Sequence, residues 1–313
     1  MLILNLIYFI LSGIILVISG GFLVKSLSKI SKFLKISEFT VAFIIMAIAT
    51  SIPELFVGIS SALSNTASLS LGNVIGANIL NLTLITGIII LLSKEIKIGE
   101  KKISDDLEFM LATLIIVIIL YSIGKSLSRL DGFFLIIIFI INIYRKFIRR
   151  EKYPKPFKEK TKKGGVTKNI IIFIISLITL FLSSRYAVKY ASFLAIDLNF
   201  PKIIMGLFLL SLATTLPELI FGISATRLKH NKMGLGNAVG SVIVNSTLVL
   251  GVVAIISPIK ADFIPFITAA IFMLFSAFIF YIFTKTGKRL KSIEGIGLIL
   301  TYVLFMIIEF FIK

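Results

Sequence analysis

Apolar runs of about twenty residues follow one another along the chain, separated by short polar connections. Helical spans are expected at roughly 2–24, 39–63, 69–93, 103–123, 130–147, 168–187, 201–226, 234–258, 262–284 and 293–312. As helices they are long enough to cross ~30 Å of hydrocarbon with some tilt. Barrel strands are excluded, because they need about ten residues of alternating polarity, and these runs are longer and do not alternate. The expected fold class is an all-α membrane protein with about ten transmembrane helices. The run from Met1 to Val24 has no basic residue ahead of it and no Ala-x-Ala site, so it reads as a retained span rather than a secretory signal.

The polar interruptions inside these runs are not scattered. Residues 49–60 read Ala-Thr-Ser-Ile-Pro-Glu-Leu-Phe-Val-Gly-Ile-Ser, and residues 213–224 read Ala-Thr-Thr-Leu-Pro-Glu-Leu-Ile-Phe-Gly-Ile-Ser. Leu71-Gly72-Asn73 and Leu235-Gly236-Asn237 follow at the same distance. The register holds without a gap through Gly76/Gly240, Asn81/Asn245 and Gly87/Gly251, at an offset of 164 residues. The chain is an internal duplication, and its copies share the most polar parts of their apolar segments.

Composition agrees with the pattern. The 313 residues are 58% hydrophobic, with a mean hydropathy of +1.06, more apolar surface than a soluble domain of this size can cover. Cysteine is absent, which excludes disulfides and thiolate metal sites, and the single histidine, His230, lies in a basic connection. The net charge of +18 is mostly a topology signal. All but seven of the 33 lysines and arginines fall in alternate loops, around 25–35, 94–102, 145–168, 227–232 and 285–291. The exceptions are Lys125, Arg129, Arg185, Lys189, Lys202, Lys260 and Lys313. The positive-inside rule therefore puts the basic loops in the cytoplasm and both termini outside. Bases spread over loops without a recognition motif argue against nucleic acid.

One connection is long and hydrophilic. Residues 148–167, with Pro154, Pro156 and Gly164-Gly165, read as a flexible cytoplasmic linker. It divides the chain into a first five-helix repeat, 1–147, and a second, 168–313. An odd number of spans per half inverts the second copy, and transporters place substrate where such repeats meet at mid-membrane.

Of the fifteen acids, only Glu54 and Glu218 fall deep in spans. A central acid costs roughly 2.5–3.5 kcal/mol on insertion scales, and no base lies at similar depth in these spans. Two protonated glutamates bridging helices would be the bland explanation, but it leaves the polar neighbours unexplained. Thr50 and Glu54 share a helix face, as do Thr214 and Glu218, with Ser51 and Thr215 on its border. Pro53 and Pro217 lack an N–H and are expected to kink the backbone, freeing carbonyl oxygens. On the partner helices Asn73, Ala77 and Asn81 form one stripe and Asn237, Ser241 and Asn245 another. Gly72, Gly76, Gly236 and Gly240 are expected to allow close backbone approach. Carboxylates, amides, hydroxyls and carbonyls without thiol or imidazole suit a hard cation such as Ca²⁺, Mg²⁺ or Na⁺. Two carboxylates also match the charge of one divalent ion.

The Thr-Ser-Ile-Pro-Glu and Thr-Thr-Leu-Pro-Glu stretches, each followed by Gly-Asn-x-x-Gly, resemble the paired α-repeats of the cation/Ca²⁺ exchanger superfamily. The likeness is strongest to its prokaryotic Na⁺/Ca²⁺ exchanger branch, and it covers nearly the whole chain. The Gly-Asn-Ala-x-Glu type of motif usual in the H⁺/Ca²⁺ branch is missing at the acid. The resemblance implies antiport of Ca²⁺ against several Na⁺. It implies that Glu54 and Glu218 bind Ca²⁺ and share Na⁺, with Thr50 and Thr214 completing the Ca²⁺ shell. It assigns Ser51, Thr215, Ser241 and the backbone of Ala47 and Ser211 to flanking Na⁺ sites, Asn81 and Asn245 to the central level, and a sliding gate to the first and sixth spans. Two positions depart from the family: Ala77 stands where a hydroxyl is frequent, and Asn245 where an Asp is common. The Na⁺ count and the coupling ion therefore stay open.

The expected function is secondary antiport of Ca²⁺ against Na⁺ across the cell membrane by a chain functional as a monomer in the lipid bilayer. Ca²⁺ and Na⁺ are cargo, and no cofactor or nucleic acid is involved. Exchange of H⁺ for Ca²⁺ or another divalent cation is the alternative. An intramembrane enzyme using the two glutamates as acid and base is more remote, because a phosphate-handling site would want Arg or His beside them. A cation channel would have to show single-channel currents.

Overall fold

Every apolar run of the sequence lies on a helix in the computed structural model of the chain, which describes residues 2–34, 36–63, 65, 67–98, 101–148, 163–197, 202–260, 263–287 and 289–312. The first half contributes α1 (Leu2–Leu34), α2 (Glu38–Leu63), α3 (Ala67–Ser93), α4 (Lys101–Gly124) and α5 (Arg129–Ile148). The second contributes α6 (Lys163–Asp197), α7 (Lys202–Arg227), α8 (Asn231–Ile256), α9 (Phe263–Gly287) and α10 (Ser292–Ile312). Seven helical stretches among the described residues are long and apolar enough to cross a membrane, on α1–α4, α6, α8 and α9. The chain is a helical, multi-pass membrane protein. Most of the expected linker, 149–162, lies outside the described residues, while Gly164 and Gly165 fall in the first turn of α6.

Burial sorts the helices. α3 and α8 are the most enclosed of the spans. One continuous apolar cluster joins them to α4, α5, α9 and α10 through residues such as Ile79, Leu107, Met110, Leu135, Val242, Phe280 and Leu298. A second cluster, built from Leu16, Leu23, Leu27, Met46, Phe173, Leu180 and Phe221, sets α1 and α6 against α2 and α7. α1 and α6 pack along each other, with Tyr8 stacked on Tyr190 at 4.9 Å between ring centroids. The outward face of α1 is an unbroken apolar surface including Ile3, Ile10, Ile14 and Ile18, as expected of a helix against acyl chains.

The expectation of an all-helical chain needs one correction. Glu95–Lys97 (β1) and Arg289–Lys291 (β2) pair antiparallel, Ile96 opposite Leu290, joining the α3–α4 and α9–α10 connections. Ile96 and Leu290 are buried while the flanking charges stay out. Three residues of alternation are too few to stand out in a sequence dominated by helical runs. Leu127 and Ile259 exchange backbone hydrogen bonds of 2.9 Å in both directions, joining the α4–α5 and α8–α9 connections. The Glu38 carboxylate, at the start of α2, meets His230 Nδ1 at 2.8 Å before α8 and accepts from Ser28 Oγ of α1 at 2.9 Å.

The duplication is visible in local geometry. Asn65 and Lys229, 164 residues apart, both take the left-handed backbone conformation just past α2 and α7 (φ 57° and 64°). Asparagine tolerates that conformation better than lysine. α3 and α8 each widen to a π turn at matching places, Asn81–Ile85 and Asn245–Val249. In each, a threonine two residues on, Thr83 or Thr247, donates to the carbonyl of Ile79 or Ile243. Such widened turns recur at functional sites.

The copies differ at the prolines. α2 has a π turn over Ala42–Met46 and leaves helical geometry at Ser51 (φ −81°, ψ 3°), two residues before Pro53. α7 runs unbroken through Pro217, so the kink expected there is not an interruption. Close backbone approach is likewise unequal. A Cβ on Gly240 would lie 2.3 Å from Phe43 O, and one on Gly236 2.6 Å from Phe39 O, so α8 rests directly on α2. A Cβ on Gly72 would meet nothing within 4 Å. Gly72 faces outward and is not a packing glycine, contrary to its pairing with Gly236 in the sequence.

Candidate ion-binding site

Glu54 follows the break in α2 and Glu218 follows Pro217 in α7; both side chains are fully buried. The two carboxylates are near enough to interact electrostatically. None of their four oxygens receives a hydrogen bond of ordinary geometry, although the Thr214 hydroxyl comes close to Glu54 and those of Thr50 and Ser241 to Glu218. Among the described residues no group of three or more His, Cys, Asp or Glu side chains converges, so the pair is the acidic content of the site.

The surrounding hydroxyls and amides cross between the repeats with matching geometry. Thr50 Oγ1 lies 3.3 Å from Asn237 Oδ1 and 3.3 Å from Ser241 Oγ. Thr214 Oγ1 donates to Asn73 Oδ1, also at 3.3 Å. Each threonine thus has an amide oxygen on the opposite repeat to take its proton, and Thr50 has the Met46 carbonyl at 3.1 Å as well. A hydroxyl whose hydrogen is taken elsewhere keeps its lone pairs for a cation. Asn73 and Asn237 hold threonine hydroxyls with their oxygens, and the unpartnered atom of Asn73 is its amide nitrogen, a donor that cannot ligate a cation.

Ser51, Thr215, Asn81, Asn245, Ser241 and Ala47 are all buried with the acids. Ser211 lies on α7, and its surroundings fall outside the described residues. Among the described residues, the buried side-chain polar atoms without a partner lie on Ser51, Glu54, Asn73, Asn81, Glu218 and Asn245, with Ser70 Oγ and Asn231 Oδ1 the exceptions outside this set. Buried polar groups are normally paired. A cluster of orphaned oxygens around two uncompensated carboxylates is suited to a hard cation, which satisfies oxygen lone pairs without supplying a proton.

Two features escaped the sequence. Asn78 is fully buried and hydrogen-bonds across the repeats to Asn245 and Ser246. Its counterpart 164 residues on is Val242, so a search for matching polar positions passes over it. Lys146, at the end of α5, forms a largely buried ion pair with Asp106 of α4 and lies 4.0 Å above the Phe43 ring of α2. The acid-bearing helix therefore does carry a base against it, but that base is already neutralised by Asp106.

Two buried carboxylates with the hydroxyls of Thr50, Thr214 and Ser241 beside them, in a multi-pass membrane protein, suit an ion-handling protein. The family model described as "Sodium/calcium exchanger protein" matches residues 4–148 and 168–311. The chain belongs to this family, and so is a transporter rather than an enzyme, with ions as cargo and no cofactor. It is 29% identical over an alignment spanning all of both chains to the sodium/calcium exchanger MaX1 of Methanosarcina acetivorans. It is 28% identical to the inner membrane protein YrbG of Escherichia coli, over 92% of this chain and 91% of that one. Structures of the sodium-calcium exchanger NCX_Mj superpose with a TM-score of 0.83 at 26% identity, covering 97% of this chain and 98% of that one.

Proposed function

We propose that this chain exchanges Ca²⁺ for Na⁺ across the cell membrane by alternating access, with Glu54 and Glu218 as the ligands both ions share. The observation that carries the reading is the pair of fully buried carboxylates with four unpartnered oxygens, in a chain of the sodium/calcium exchanger family. Thr50 and Thr214 complete the Ca²⁺ shell. Ser51, Thr215, Ser241 and the backbone of Ala47 and Ser211 serve Na⁺, with Asn81 and Asn245 at the central level. Exchange is obligatory because two bare carboxylates cannot cheaply pass an apolar constriction. The site moves between the two sides only when loaded. α1 and α6 act as the sliding gate, a reading supported by their own apolar cluster against α2 and α7.

The proposed topology has ten crossings in two inverted five-helix repeats, with both termini outside and the linker in the cytoplasm. Three contacts support it. The α1–α2 connection meets the α7–α8 connection through Glu38 and His230, and α3–α4 meets α9–α10 through the small sheet. These four connections belong to the basic set. The α4–α5 and α8–α9 connections, from the other set, meet each other through Leu127 and Ile259. One chain carries both acids, so a monomer suffices.

Ala77 and Asn245 favour H⁺/Ca²⁺ exchange as a second reading, because they remove one hydroxyl and one carboxylate from the Na⁺ donor set. Proteoliposomes separate the two. With Na⁺ inside and equal pH, ⁴⁵Ca²⁺ uptake is expected to rise well above the gradient-free level, while a pH gradient without Na⁺ gives little. The reverse pattern would transfer the assignment to protons.

A further inference from the structure

Asn81 and Asn245 are repeat mates, yet they are held differently. Neither Oδ1 nor Nδ2 of Asn81 has a partner, so no hydrogen bond selects between the two orientations of its amide. Asn245 is pinned at one end: its Nδ2 donates to Asn78 Oδ1 at 3.4 Å, while its own Oδ1 is unpartnered. Asn78 in turn donates from Nδ2 to Ser246 Oγ at 2.8 Å and reaches Met273 Sδ at 3.6 Å. A serine hydroxyl could serve either polarity of this chain, but a thioether sulfur only accepts. Met273 therefore keeps the Asn78 nitrogen on its own side, and the Asn78 oxygen must face Asn245.

We infer that Asn78 is a positioning residue that locks the Asn245 amide with its oxygen, not its nitrogen, available to the transported cation. The inference rests on the exchange reading and adds a device to it. A neutral amide beside a cation site helps only in one of its two orientations, because the other presents two N–H donors to the ion. A carboxylate at the same position would need no such lock, since both its ends are oxygens. The lock is present in the second repeat alone, because Val242 occupies the place of Asn78 in the other copy.

A double-mutant cycle in proteoliposomes tests this. Asn78→Leu keeps the branching and heavy-atom count of the side chain, adds some bulk, and removes the lock. In the parent background the Ca²⁺ or the Na⁺ concentration at half-maximal exchange is expected to rise roughly tenfold, the upper end of the effect of losing one hydrogen bond between neutral groups. The maximal rate should change less than about twofold. In an Asn245→Asp background the same substitution should shift half-saturation less than about twofold. Met273→Leu is the second arm, needed if Asn78→Leu fails to assemble. It is volume-conserving and should raise half-saturation several-fold in the Asn245 parent only. Equal losses in both backgrounds, or no shift in either arm, would overturn the role of Asn78 while leaving exchange standing. A parent chain with no Na⁺-driven Ca²⁺ uptake would remove the exchange reading and this inference with it.

Discussion

Replacing Glu54 or Glu218 by glutamine is expected to lower Na⁺-driven Ca²⁺ uptake by at least about a hundredfold, a change of roughly 2.7 kcal/mol. Glutamine keeps the size of the side chain but removes its charge and turns one of two acceptor oxygens into a donor. The loss is on the scale of removing a charged, desolvated partner, about 2–5 kcal/mol. Stability should move the other way. Without ions the parent holds two buried glutamates whose oxygens have no protein partner, and glutamine at either place adds no buried charge. Ion-free Glu54→Gln and Glu218→Gln proteins should therefore melt no lower than the parent. Saturating Ca²⁺ stabilises the parent by mass action, and this increment should disappear in both variants. Thermal melts with and without Ca²⁺, run beside the uptake assay, check both halves. A variant that transports normally, or one that melts lower in the absence of ions, contradicts the ligand assignment.

The second large effect is structural. Gly240→Ala would set a methyl 2.3 Å from the Phe43 carbonyl and 2.7 Å from Ala47 Cβ. Neither is the far end of a flexible side chain, so α8 has to move off α2. That contact lies beside Ser241 and, through Ala47, about one turn from Thr50, and the Thr50 and Ser241 hydroxyls meet across the same interface at 3.3 Å. A destabilisation of about 3 kcal/mol, the upper end of ordinary overpacking, and loss of transport are expected. Gly72→Ala is the control. It meets nothing within 4 Å and should be neutral or stabilising by about 0.5–1 kcal/mol through better helix propensity. Melting temperature in detergent separates them, and equal behaviour of the two alanines would show that the α2–α8 approach is not as close as described.

The contrast between Gly240 and Gly72 shows where sequence reading stops. Duplication identified which positions matter as a set, because two copies with the same polar residues in apolar runs are hard to explain otherwise. It could not say which copy packs against what. Gly236 and Gly240 touch α2, while Gly72 faces outward, because the copies meet different neighbours. Glu54 and Glu218 were legible because an acid deep in an apolar helix has few physical excuses. Asn78 was not, because its partners Asn245 and Ser246 are more than 160 residues away and its repeat mate is apolar. The π turns at Asn81 and Asn245 were equally hidden, since nothing in a periodicity separates a helix of ordinary pitch from one widened for a single turn. The small sheet was too short to read.

If the same two carboxylates hold Ca²⁺ and Na⁺ in turn, the two ions must compete for one site. Equilibrium binding of ⁴⁵Ca²⁺ to the purified chain at increasing Na⁺ tests this most directly. Sharing predicts a single Ca²⁺ per chain, displaced completely by Na⁺ with a slope steeper than one, since more than one Na⁺ competes, and no such Ca²⁺ site in Glu54→Gln or Glu218→Gln. Ca²⁺ that stays bound at saturating Na⁺, or that still binds to either glutamine variant with unchanged affinity, would contradict it.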